Sequence, residues 1–136
     1  MPLTRRKYYE HLRTAAYDGT FPCIDKYGTC RYRNDEGTKA CAVGILIPDS
    51  AVDTDLESNG LVNILKDNIL IPNHISDEAL GDIQSWHDQL SDLWDPVSFL
   101  KQCAQALDLK GVTPLRPRNL ASRSASLLAL RQTPPA

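Results

Sequence analysis

The chain has 136 residues, of which 42% are apolar and 24% charged, with a formal net charge of −2. This length suits one domain with one modest core, and no run of about 18 apolar residues exists to suggest a membrane span. Arg5, Arg6 and Lys7 near the start are not followed by an apolar stretch, so no signal peptide is expected; the protein is read as cytoplasmic, with Cys23, Cys30, Cys41 and Cys103 as reduced thiols.

Pro2 to Ala16 reads as a helix with Thr4 as its N-cap. Tyr8 or Tyr9, Leu12, and Ala15 or Ala16 recur at helical spacing. Arg5, Arg6, Lys7 and Arg13 fall mostly off that face and read as solvated surface. Asp18-Gly19-Thr20 is a turn, and short strands are expected around 21–24, 29–33 and 39–46. The last two make a hairpin. Arg31 to Arg33 form one arm, Asn34 to Thr38 the turn with Gly37 able to take positive φ, and Lys39 to Ile47 the second arm, ended by Pro48. Cys30 and Cys41 flank this turn. Tyr32, Val43 and Ile45 are expected to supply part of the face that a helix covers.

Asp53 to Gly60 places oxygen side chains at alternate positions, but the glycine and glutamate positions of a calcium loop do not match, so this is an acidic turn. Gly60 to Asp67 reads as a short helix. Ser76 to Leu90 is the clearest helix. Ser76 is its N-cap, Asp77 and Glu78 suit its first turn, and Leu80, Ile83, His87 and Leu90 form an apolar stripe. Asp95-Pro96 starts a last core helix, with Leu100, Cys103, Ala104 and Leu107 inward. The expected fold class is α+β: a small antiparallel β-hairpin or three-stranded sheet packed against four to five helices. Residues 1–111 form the globular domain. Residues 112–136, rich in proline, serine and arginine, form a poorly ordered tail.

The pattern Cys30-x-Tyr32-Arg33, Gly37-x-Lys39-x-Cys41-Ala42-Val43-Gly44, Leu46-Ile47-Pro48-Asp49, with a later Gln84-x-x-His87-Asp88, resembles a family of small uncharacterised proteins encoded by tailed phages and prophages. The resemblance covers roughly residues 5 to 114. Many members have a cysteine where this chain has Ile45, which argues against a metal site that needs it. The resemblance implies a phage or prophage accessory role and brings no established activity.

Charge is unevenly spread. Residues 1–47 carry net +3, residues 48–95 net −10, residues 96–109 zero and residues 110–136 net +5. A middle segment this acidic should attract a basic partner and repel nucleic acid. Asp49, Asp53, Asp55, Glu57, Asp77, Glu78, Asp82 and Asp92 are its candidate partner-binding residues.

Four constellations could carry chemistry. Zinc held by Cys23, Cys30, Cys41 and a histidine lacks the close cysteine pair such sites use. A Cys41–His87 nucleophile and base lacks an orienting group, because Asp88 points about 100° away on the same helix. A metal phosphohydrolase using His74, His87 and Asp88 would need more ligands than are recognisable. Tyr32, Arg33, Lys39, Cys41, Trp86, His87 and Asp88 could line a pocket for an anionic or nucleotide-like ligand. No catalytic residue, metal or cofactor is assigned. The favoured expectation is a non-enzymatic protein that binds and inhibits a host antiviral-defence factor, a protein with a basic surface. The alternatives are a nucleotide-like small-molecule binder or hydrolase centred on Tyr32, Arg33, Cys41 and His87, and a role in virion assembly. Neither nucleic acid nor a membrane is an expected partner.

Overall fold

A computed structural model describes residues 3–24, 34, 38–46, 75–90 and 95–118. Three α-helices and one short 3-10 turn stand in this part: α1 (Arg5–Asp18), the turn Gly44–Leu46, α2 (Asp77–Asp88) and α3 (Pro96–Ala106). Each helix begins on a side chain that accepts an otherwise unpartnered backbone amide. Thr4 accepts from the Lys7 amide, Ser76 from Ala79 and Asp95 from Ser98. Pro96 follows its cap at the first helical positions, where a missing N–H costs nothing.

The expected β-sheet is absent among the described residues. Residues 40–46, read from the sequence as a strand, form a turn that runs into the 3-10 segment. The physical reason is the destination of the backbone groups. The Ala42 carbonyl accepts from the Tyr8 hydroxyl at 2.7 Å, and the Val43 amide donates to Gln84 Oε1 at 3.0 Å. The Gly44 amide donates to Cys41 Sγ at 3.2 Å. Side chains of α1 and α2, and one cysteine within the segment, thus take what a neighbouring strand would have taken. All seven residues from Ala40 to Leu46 are buried, so the in-and-out alternation of a half-buried strand is missing too. Among the described residues the irregular segments are tied by isolated bridges at Ile24, Ala40 and Leu90 and by backbone bonds such as Ala40 N–H to the Thr20 carbonyl at 3.3 Å, not by a ladder. The first hairpin arm and the Gly60–Asp67 helix of the sequence reading lie outside the described residues.

α3 packs against both α1 and α2 and so lies between them. Tyr8, Tyr9 and Leu12 from α1, Leu80 and Ile83 from α2, and Phe99, Leu100 and Cys103 from α3 are fully buried. Ala42, Ile45 and Leu46 close the same core from the irregular segment. α3 ends in a reversal: the Leu109 amide returns to the Ala104 carbonyl, and Asp108 takes a left-handed φ of 54°.

The chain then runs back along α1 as an extended strap. Arg5, Tyr9, Arg13 and Tyr17 recur every fourth residue, on one stripe of the helix. They donate to the carbonyls of Leu107, Thr113, Leu115 and Pro114, at 3.0, 2.8, 2.6 and 2.7 Å. Arg6, beside that stripe, reaches the Lys110 carbonyl at 3.3 Å. Leu109 and Val112 of the strap pack on the core.

Candidate functional site

The residues of the Gln84-x-x-His87-Asp88 motif meet the Cys41-Ala42-Val43-Gly44 motif directly. Gln84, one turn before Asp88 on α2, uses both ends of its amide. Its Oε1 accepts the Val43 amide, and its Nε2 donates to Asp88 Oδ1 at 3.1 Å. That same carboxylate oxygen lies 3.0 Å from His87 Nδ1. The other ring nitrogen, Nε2, accepts the backbone N–H of Cys23 at 3.2 Å. An acceptor at Nε2 assigns the proton of a neutral imidazole to Nδ1, where Asp88 receives it. Gln84, His87 and Asp88 thereby form one polar clamp that fastens two irregular segments, 21–23 and 41–44, to α2.

His87 is fully buried, and the Phe21 ring meets it edge-on with centroids 4.9 Å apart. Asp88 keeps 43% of its side chain exposed, so the clamp runs from the core to the surface. The sequence reading held Asp88 to be poorly placed to orient His87, and the geometry corrects this. Nδ1 lies only two bonds from the histidine Cβ, so a carboxylate on the adjacent residue, at the last position of the helix, can span the angular separation.

The clamp changes what Cys41 and His87 can do together. A base must have an empty acceptor facing its nucleophile. Nε2 is occupied by the Cys23 amide, and Cys41 Sγ is itself an acceptor for Gly44. Cys41 acts here as the cap of the 3-10 turn. Cys103 is buried in the core, and burial pushes its thiol pKa well up, away from a reactive thiolate. Tyr8 is pushed well up chiefly by burial, with the Cys103 and Cys41 thiols adding to it; its hydroxyl stays protonated and donates to Ala42.

Lys39, expected to face an anion, has its ammonium 3.0 Å from the Gly19 carbonyl and 3.5 Å from that of Pro22. Gly19 caps α1 in a left-handed conformation, so Lys39 places positive charge at the C-terminal end of that helix. Trp86 is half-buried against the core. Tyr32 and Arg33 lie outside the described residues. Of the candidate pocket, the structure therefore brings His87 and Asp88 into direct contact, and turns Lys39 and Cys41 to backbone partners. Among the described residues no group of three His, Cys, Asp or Glu side chains is placed to hold a metal ion; Cys30 and His74 lie outside them.

Of the candidate acidic surface, Asp77, Glu78 and Asp82 are exposed on α2, while Asp49, Asp53, Asp55, Glu57 and Asp92 lie outside the described residues. The sequence places Tyr8 on the inward helix face and Asp18 in a turn but assigns neither its polar role: Tyr8 donates to Ala42, and Asp18 is buried and accepts both the amide and the hydroxyl of Thr20. Gln84 was visible only as a motif letter. An Asp two residues before a Thr at a helix end was the available sign for Asp18. Compared with protein-family models, curated proteins and solved structures, the chain matches none. No described helix is long and apolar enough to cross a membrane.

Proposed function

We propose that this chain is a non-enzymatic accessory protein of a tailed phage or prophage. It acts in the host cytoplasm by binding and inhibiting a host factor, a component of antiviral defence, through an acidic surface. The observation that carries this reading is the division of labour on α2. His87 and Gln84 are spent on the backbone of neighbouring segments, whereas Asp77, Glu78 and Asp82 project to the surface within a stretch of net −10. A one-signed field of that size steers a basic partner to its target and sets the salt dependence of the encounter.

The test is affinity capture from host lysate with the tagged wild type and with D77N/E78Q/D82K, each at rising salt, read by quantitative mass spectrometry. The three positions are exposed, but Asp77 and Glu78 sit in the first turn of α2, where each negative charge contributes about 0.3–1 kcal/mol, so a modest drop in melting temperature with a retained cooperative transition is expected to confirm an intact fold. A stoichiometric protein held by the wild type, released by salt and lost by the variant supports the reading. Equal capture by both proteins overturns it.

A further inference from the structure

The sequence separates two basic regions by the whole length of the acidic middle. The structure joins them. The strap lies on α1 through bonds between residues 102 to 104 positions apart, which brings Lys110, Arg116 and Arg118 alongside Arg5, Arg6 and Arg13. α1 and the strap carry these six cations with two carboxylates among them, Glu10 and Asp108, and with Asp95 close enough to Tyr17 to act on its hydroxyl; Glu10 is engaged with Arg13 at 3.1 Å. Lys110, Arg116 and Arg118 are exposed. α3 packs against both α1 and α2, and the exposed carboxylates Asp77, Glu78 and Asp82 stand on α2, not on α1 or the strap.

We infer that α1 and the strap together form a basic face that binds the phosphate backbone of nucleic acid. Three features favour that partner. First, Arg5, Arg6 and Arg13 each give a guanidinium hydrogen bond to a main-chain carbonyl. A carbonyl orients the group without neutralising it, and a guanidinium has five N–H donors, so at Arg5 and Arg6 the others remain for phosphate, whereas Arg13 also pairs with Glu10. Second, the cations follow a helix of 14 residues, about 20 Å long. That length matches the rise of roughly six base pairs, about six phosphates on one strand, and the exposed Arg6, Lys110, Arg116 and Arg118 would meet about three or four of them. Third, the apolar side of α1 is buried in the core, leaving Leu115 as the one large exposed apolar side chain described on this face. A membrane surface would ask for an apolar face to insert. The inference stands independently of the acidic-surface reading, since it uses other residues on other elements.

The test is fluorescence anisotropy of a labelled duplex of about 20 base pairs with the full chain, from about 20 to 200 mM salt. Binding is expected at low salt, with the logarithm of the association constant falling against the logarithm of salt at a slope of about −3. The variant K110E/R116E/R118E touches no side-chain hydrogen bond, keeps the wild-type melting temperature and is expected to bind at least about tenfold more weakly, with a shallower slope. Three results would overturn the inference: no binding at low salt, equal binding by the variant, or attachment to anionic lipid vesicles without attachment to the duplex.

Discussion

The imidazole of His87 accepts the backbone N–H of Cys23, a residue 64 positions earlier in the chain. The bond is buried, and it fixes where the chain goes after α1. An irregular segment has no ladder to hold it, so this side-chain acceptor on a rigid helix adds to the bonds from Phe21 to Ala15, from Ala40 to Thr20 and from Lys39 to Gly19 in setting its position.

Replacing His87 with Ala removes that acceptor, strands the Cys23 amide in the core and leaves a cavity. Chemical denaturation should show a loss of about 2–4 kcal/mol. Gln84→Ala does the same to the Val43 amide from a half-buried position and should cost about 1–2 kcal/mol. Because the two side chains meet at Asp88, the double variant should lose less than the two single losses added together. Strict additivity would mean that the clamp is not one unit.

The strap predicts a graded series. Tyr9→Phe and Tyr17→Phe each delete one hydroxyl that donates to a strap carbonyl, and each should cost about 1 kcal/mol by urea denaturation. Ending the chain after Leu107 removes four of the five carbonyl acceptors together with Leu109 and Val112. That protein should melt far below the wild type or fail to fold. A truncated protein with the wild-type midpoint would show that the strap adds nothing to stability.

Acid should weaken the fold through His11. Burial holds its pKa below the ordinary 6.5, with Lys7 adding to the depression and Glu10 opposing it. The unfolded chain therefore takes up a proton more readily than the folded one. The stability linked to this group is present above about pH 6.5 and is lost as pH falls below that value toward the folded-state pKa. The melting temperature should drop between pH 7.5 and 5.5, and His11→Gln should make that drop smaller. An identical drop in the variant would assign the effect elsewhere.

Alkali should act through the tyrosines. Burial raises Tyr8 well above its ordinary range, and raises Tyr9, aided by Glu10, to about 12. A raised folded-state pKa gives stability that is complete below pH 10 and declines as pH climbs through the folded value. Ultraviolet titration of the native protein should show part of the tyrosinate absorbance appearing only with unfolding. Full ionisation near pH 10 with the fold intact would contradict the burial of these rings.

The three helices were legible because their starts and faces are written locally. Thr4, Ser76 and Asp95 each precede a run with apolar residues at helical spacing. Residues 40–46 were not legible. The turn they form depends on Tyr8 and Gln84, which are 34 and 41 positions from the groups they bind. A short apolar run reads equally well as a strand until those partners are known. His87 was placed correctly on the apolar stripe, whereas its pairing with Asp88 is a matter of side-chain rotation that spacing does not reveal. Arg5, Arg6 and Arg13 read as solvated because bonds to carbonyls about a hundred residues away leave no local pattern. Those bonds need no particular side chain from the strap.

That the first helix is braced by carbonyls of the strap also sets the order of events during synthesis. Arg5, Tyr9, Arg13 and Tyr17 emerge early, but their acceptors are made only after about a hundred further residues. Closing so long a loop carries an entropic cost that local contacts do not, and it slows the final step. α1 must therefore wait, with Tyr9 and Tyr17 lacking their strap acceptors, until the nascent chain has delivered residue 115. Folding is closed by joining α1 to a strap made about a hundred residues later, and a chaperone that met the chain midway would find the stripe of Arg5, Tyr9, Arg13 and Tyr17 still exposed.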